Sequence, residues 1–170
     1  MSEGRSQRAE VGGQKSEGRS QRADVRGQMS EGRCQREALL MRINSAKDLS
    51  VYKKAYKLAM EIFEISNTFP KEEKYALTGQ IRRSSRSVCL NLREAWAKRR
   101  YEAHFISKLT DCDGENSETD SSLDFAKDCG YINVEEHKNL TDQVLEIGKM
   151  LGSIIKNPEP FLIKLSNSDL

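Results

Sequence analysis

Residues 75–100, YALTGQIRRSSRSVCLNLREAWAKRR, constrain the chain most, because they carry two separate stripes at helical spacing. At about 100° per residue, Leu77, Ile81, Val88, Leu92 and Ala95 gather on one side. Arg82, Arg86, Arg93 and Arg100 fall within about 40° of one another on a different side. Such a helix buries one face in a core and leaves a line of positive charge outside. The pattern predicts a helical domain and a candidate binding surface. It supplies no reaction.

Similar periodicity extends on both sides. A first helix is predicted over residues 46–67, with Leu49, Tyr52, Ala55, Tyr56, Ala59, Ile62 and Phe63 on its apolar side. Pro70 suits the first turn of the second helix, where its missing N–H would be unpaired anyway. Glu72 and Glu73 complement that helix's N-terminus. The second helix runs to about Lys98, and no Gly or Pro marks a break before the third. The third has a seam of Phe105, Leu109, Cys112, Asn116, Thr119, Leu123 and Ala126, unusually polar and small in its middle. Gly114 weakens it, and Gly130 sits where a C-terminal cap belongs. Asn133 with Glu136 forms a capping-box pattern for a fourth helix. Its stripe is Leu140, Val144, Ile147, Leu151 and Ile154, and Asn157-Pro158 stops it. No segment alternates with period two for long. The expected fold is therefore all-α: an antiparallel, up-down-up-down four-helix bundle over residues 45–158, with a fraying C-terminal tail over 159–170.

Residues 1–44 are of another kind. SEGRSQR at 2–8 returns at 16–22, and as SEGRCQR at 30–36, a period of 14 residues. With almost no apolar side chains, the repeats cannot offset their ordering entropy or stack as a solenoid, so this arm is expected to be disordered. It is either a flexible basic tail or a tandem DNA repeat translated ahead of a later start at Met29 or Met41.

Charge is unevenly spread. Residues 1–43 hold nine basic and six acidic residues, whereas residues 44–170 hold nineteen and twenty. The helical part is thus not generally basic, and any nucleic-acid argument must rest on local charge. Apolar runs fall far short of the ~20 residues of a membrane span, and no apolar leader opens the chain, so the expected location is the cytoplasm. Cys34, Cys89, Cys112 and Cys129 lack metal-ligand spacing, and the last three fall in helical patterns as small buried hydrophobes.

The candidate nucleic-acid surface is Arg82, Arg83, Arg86, Arg93, Lys98, Arg99 and Arg100. Arginine suits phosphate because its planar fork donates two hydrogen bonds. The competing reading pairs these cations with Asp111, Glu115 and Glu118, or Asp113, Asp120 and Asp124, on the third helix. Trp96 and Tyr101 could stack on bases or pack at a bundle end, and Asn91 and Asn116 read as architectural core amides. Neither histidine fits the Glu-x-x-His pattern of a di-iron bundle, and no phosphate-binding loop is present, so no cofactor, metal or catalysis is expected.

The runs LSVYKKAYKLAMEIF, FPKEEKYALTGQIRRSSRSVCLNLREAWAKRRYEAHF and LTDCDGENSETDSSLDFAKDCGYI resemble the four helix bundle protein family. That family includes proteins encoded in intervening sequences of bacterial 23S rRNA genes and the accessory variability determinant of diversity-generating retroelements. The resemblance covers residues 47–156 and rests on Phe69-Pro70, Glu73-Lys74-Tyr75, Gln80-Ile81-Arg82-Arg83, and Ser87 with Asn91 and Glu94. It implies a homopentameric barrel without catalysis. For the retroelement branch it implies binding of nucleic acid by a basic surface, and of a reverse transcriptase. One departure is Arg93, where the family pattern has a small residue; it either crowds the packing or points outward. The expected function is a non-enzymatic oligomeric scaffold that binds RNA or DNA non-specifically. The alternative is a structural or protein-interaction factor that binds no nucleic acid.

Overall fold

Ser45 opens the domain with a reciprocal cap. Its Oγ accepts from the Lys47 N–H (3.3 Å), and the Asp48 carboxylate accepts from the Ser45 N–H (2.9 Å). The computed structural model describes residues 43–163. The arm with its repeats, Met29, Met41 and Cys34, and residues 164–170 of the expected tail, lie outside the described residues. After a 3-10 turn at Ala46–Asp48 come four helices: α1 (Ser50–Ile65), α2 (Leu77–Lys98), α3 (Glu102–Asp128) and α4 (Val134–Lys156). No strand occurs among the described residues, and none of these helices is long and apolar enough to cross a membrane.

The helices form a closed ring of neighbours, α1 against α2, α2 against α3, α3 against α4 and α4 against α1. Contacts between them run in opposite order along each chain segment. Ser84 meets Thr119 and Glu94 meets Lys108; Asn116 meets Val144 and Asp124 meets His137; Lys54 meets Glu146 and Glu61 meets Gln143. Each of these pairs is therefore antiparallel. Ile62, Ile81, Leu92, Leu109, Leu123, Ile147 and Leu151 fill the middle, all essentially free of solvent.

The polar seam of α3 has a partner on α2. Thr119 Oγ1 lies 2.9 Å from Ser84 Oγ and 2.9 Å from the Glu115 carbonyl, and both hydroxyl-bearing residues are buried. Cys112 Sγ reaches the Val88 carbonyl (3.7 Å). Small side chains let the two helices approach closely, and the hydroxyls satisfy one another in the interior.

Several local expectations are corrected. Of the apolar side expected for α1, Leu49, Ala55, Ala59 and Ile62 are buried, joined by Val51 and Leu58; Tyr52 and Phe63 are half-buried, and Tyr56 is 55% exposed. Aliphatic chains fill the core, while the tyrosines keep their hydroxyls near water. Residues 71–75 form a separate 3-10 turn, and Ala76 (φ −107°, ψ −115°) divides it from α2. Pro70 therefore precedes that turn instead of starting α2. Glu73 still serves α2: its carboxylate accepts from the Leu77 N–H (3.1 Å) and from the Tyr131 hydroxyl (3.1 Å). A real break separates α2 from α3. Arg99 stays near helical angles, and only Tyr101 (φ −120°, ψ 115°) turns extended. Any residue adopts these angles, so no Gly or Pro is needed. The tail does not fray at Pro158. A 3-10 turn at Glu159–Phe161 lays Phe161 on Phe105 (centroids 6.4 Å apart), and the Ile163 N–H donates to the Arg99 carbonyl (3.2 Å).

The expected caps of α3 and α4 are present. Gly130 takes φ +75°, and the Tyr131 N–H reaches back to the Ala126 carbonyl (2.8 Å). Asn133 Oδ1 accepts from the Glu136 N–H (2.9 Å), while Glu136 accepts from the Asn133 N–H (2.8 Å). Added Cβ atoms at Gly114 and Gly130 would meet nothing within 4 Å, so only backbone conformation decides what alanine does there. Gly130→Ala is expected to destabilise by about 1–2 kcal/mol, through the left-handed conformation. Gly114→Ala is expected to stabilise by about 0.5–1 kcal/mol, through helix propensity. Urea unfolding followed by circular dichroism checks both signs.

Candidate nucleic-acid interface

The seven predicted cations do not share one surface. Arg82 is half-buried and committed to the end of α1. Its Nε donates to Ser66 Oγ (2.7 Å), and its terminal nitrogen donates to Asn67 Oδ1 (2.9 Å) and to the Phe63 carbonyl (3.3 Å). Its guanidinium also lies 4.8 Å from the Phe63 ring centroid. These groups are one carbonyl in the last turn of α1 and two side chains that follow it, so Arg82 ties α1 to α2. No fork remains for phosphate.

Arg83 turns the other way, toward α3, and pairs with Glu118 at 3.7 Å. Lys98 pairs with Glu94 (2.6 Å) on its own helix. Arg99 folds back on Trp96, its guanidinium 4.0 Å from the ring and donating to the Trp96 carbonyl. Burial lowers its pKa from the usual guanidinium range. Trp96 is thus half-buried beneath a cation, while Tyr101 is exposed and leans on His104 (5.6 Å). Arg100 is exposed in the turn after α2, off the helical stripe.

Arg86 and Arg93 keep the character expected of the whole set. Both are exposed, and neither has an acidic partner among the described residues. Arg86 sits 5.5 Å from the Phe63 ring. Seven residues back along α1 from Phe63 is Tyr56, and seven residues on from Arg86 is Arg93. In an antiparallel pair those two steps match, so Tyr56 shares a level with Arg93. Tyr56 in turn stacks on Tyr52 (6.4 Å, 15° between planes). The result is a strip of two exposed guanidinium groups two turns apart on α2, with the Phe63 ring of α1 beside Arg86. The α1 tyrosines escape notice in the sequence because their spacing equally suits a core.

The competing charge-pairing reading holds for part of the set. Lys108, which the α2 pattern does not reveal, bridges Glu94 (3.0 Å) and Asp111 (3.0 Å). Hydrogen bonds to these two carboxylates raise its pKa above the usual ammonium range. Burial raises the Glu115 carboxyl, and neighbouring Glu118 adds to the effect. Asn116 is buried as expected and donates to the Val144 carbonyl (3.0 Å); Asn91 is only half-buried.

The thiols divide. Burial pushes Cys89 up to about 11 and Cys112 up to about 12, so both stay protonated at neutral pH. Cys129, expected to be a buried hydrophobe, is exposed instead, because it caps α3 beyond the last seam position. Among the described residues, no three His, Cys, Asp or Glu side chains come together as metal ligands. His137 binds Asp124 (2.7 Å).

The model of the 23S rRNA-intervening sequence protein family matches residues 47–153. The chain belongs to this family. A crystal structure of a protein of unknown function from the S23 ribosomal protein family of Bacteroides thetaiotaomicron is similar, with 32% identity and a TM-score of 0.58 over 63% of this chain and 96% of that one. No curated protein matches the chain. Arg93, the departure from the family pattern, is exposed on α2.

The split between Arg82 and Arg93 is measurable. Arg82→Ala is expected to cost about 1–3 kcal/mol of stability, because three acceptors near the end of α1 lose their donor. Arg93→Ala is expected to stay within about 0.5 kcal/mol of the parent. Thermal unfolding of both variants checks this. In a Cys34→Ser protein, iodoacetamide at pH 8 is expected to modify Cys129 and to reach Cys89 and Cys112 only after unfolding; peptide mass spectrometry reads the result.

Proposed function

We propose that this family member is a non-enzymatic, oligomeric helical scaffold that binds RNA or DNA non-specifically through the α1–α2 strip. The observation that carries this reading is the pair Arg86 and Arg93, exposed and unpaired among the described residues, with the Phe63 ring beside Arg86. Guanidinium groups track phosphates, and neighbouring aromatic rings accept bases without regard to sequence. Arg100, in the turn after α2, extends the positive charge. Arg83 and Lys98, paired with Glu118 and Glu94 away from the strip, are not part of it. Arg82 and Arg99 support the fold. Self-association, as a homopentamer in this reading, repeats the strip and lets weak sites add by avidity.

A second reading makes the chain an accessory factor for a protein partner, such as a reverse transcriptase. Leu90 on α2 and Phe125 on α3 support it, because both are large, apolar and mostly exposed.

Fluorescence anisotropy with a short RNA and a short DNA duplex, at two salt concentrations and with light-scattering mass in parallel, separates the two. Binding through the strip weakens as salt rises, and Arg86→Ala with Arg93→Ala lowers the logarithmic salt slope by about 2 for duplex DNA. A stable oligomer that ignores both ligands at low salt overturns the nucleic-acid reading and leaves the protein partner.

A further inference from the structure

The α1–α2 strip carries more than charge. Leu90 lies on the same outward face of α2 as Arg86 and Arg93, four residues after the first and three before the second. It is 66% exposed, so an apolar side chain stands in solvent between two cations. Arg86 and Arg93 are two helical turns apart, about 10 Å along the axis.

The neighbouring side of α1 continues this apolar interval. Arg82 reaches Ser66 and Asn67, whereas Arg86, later in α2, lies by Phe63, earlier in α1. The two helices therefore run antiparallel, and steps back from Phe63 match steps on from Arg86. Three steps reach Met60, near the level of Leu90, and seven reach Tyr56, near that of Arg93. Around α1, Tyr56 lies within about 20° of Phe63 and Met60 within about 60°. Met60 is 41% exposed and Tyr56 is 55% exposed.

This mixture discriminates between forms of nucleic acid. A duplex turns phosphates and sugars outward and keeps its bases paired and stacked. To set both arginines on a duplex backbone, Leu90 and Met60 must come against ionised phosphates, and stripping water from a charge beside an apolar group costs free energy. A single strand is free to keep phosphates on Arg86 and Arg93 and to turn the bases between them onto Leu90, Met60 and Tyr56. Apolar surface then leaves water, while the phosphates stay paired or hydrated. An exposed leucine alone suits a protein partner equally. Its place between two guanidinium groups that lack acidic partners among the described residues favours a strand of alternating anions and apolar planes.

Resting on the nucleic-acid reading above, we infer that the strip takes single-stranded nucleic acid in preference to a duplex, with phosphates on Arg86 and Arg93 and unpaired bases on Leu90, Met60 and Tyr56.

The test is fluorescence anisotropy of the full chain with three labelled DNA ligands of equal length: a mixed-sequence single strand, its duplex, and an abasic strand that keeps every phosphate. Phosphate attraction alone favours the duplex, which carries the higher charge density. The intact single strand is expected to bind about five-fold or more tighter than either of the others. Leu90→Ser with Met60→Ser, at exposed positions that leave the fold intact by circular dichroism, removes this advantage and shifts binding of the abasic strand by about two-fold or less. Arg86→Ala with Arg93→Ala weakens all three complexes. A duplex or abasic strand bound as tightly as the intact strand overturns the preference and leaves phosphate binding in place. Failure to bind any of the three at low salt overturns both. A lower light-scattering mass for the Leu90→Ser/Met60→Ser protein also overturns the preference, since the patch then lies between copies of the chain.

Discussion

Close packing of α2 against α3 sets the rest of the bundle. Ser84, Ser85, Cys112, Thr119 and Ser122 are small and buried, so the two backbones approach more closely than leucines at these positions would permit. That closeness obliges the hydroxyls to find partners in the interior, as Ser84 and Thr119 do. It also fixes the rotation of α2 about its axis. With Ser84, Val88 and Leu92 inward, Arg86 and Arg93 have no alternative to solvent, and Arg82 is carried to the border with α1.

That border shows how two arginines of one stripe come to serve different ends. Arg82 meets the Phe63 carbonyl in the last turn of α1 and the Ser66 and Asn67 side chains that follow it, and becomes part of the scaffold. One turn later, Arg86 lies 5.5 Å from the Phe63 ring and remains exposed. Angular position along a single helix is nearly the same for both. The difference lies in where the neighbouring helix ends, which is a property of the packed pair.

The same distinction explains how much was legible beforehand. The inward stripes of α2, α3 and α4, the Gly130 cap and the Asn133–Glu136 box follow from local spacing and local chemistry, and all appear where spacing puts them. The α1 orientation was legible only in part: Leu49, Ala55, Ala59 and Ile62 are inward as spacing suggests, but Val51 and Leu58 extend that arc on one side where Tyr52, Tyr56 and Phe63 border it on the other. Only packing against three other helices chooses between them. The break at Arg99–Tyr101 leaves no mark because it needs no unusual dihedral angle. The return of residues 159–163 depends on Phe161 finding Phe105, a contact that no local pattern encodes. For the site, helical arithmetic located the arginines but could not say which of them a neighbour would claim. Lys108 and its two carboxylates are likewise visible only once α2 and α3 are side by side.

Net charge conceals the most consequential arrangement. Residues 44–170 are almost balanced, with nineteen basic and twenty acidic residues, yet some local patches carry one sign. Arg86 lies by the Phe63 ring and Arg93 is exposed on the same face of α2, while Asp113, Asp120 and Asp142 lie between α3 and α4. At physiological salt the Debye length is about 8 Å, shorter than the width of two packed helices. The two faces therefore present nearly independent fields to solvent. A polyanion meets the first without strong repulsion from the second, and a cation meets the second without strong repulsion from the first. A bundle of this size can thus carry surfaces of opposite preference, and its bulk isoelectric point says little about either.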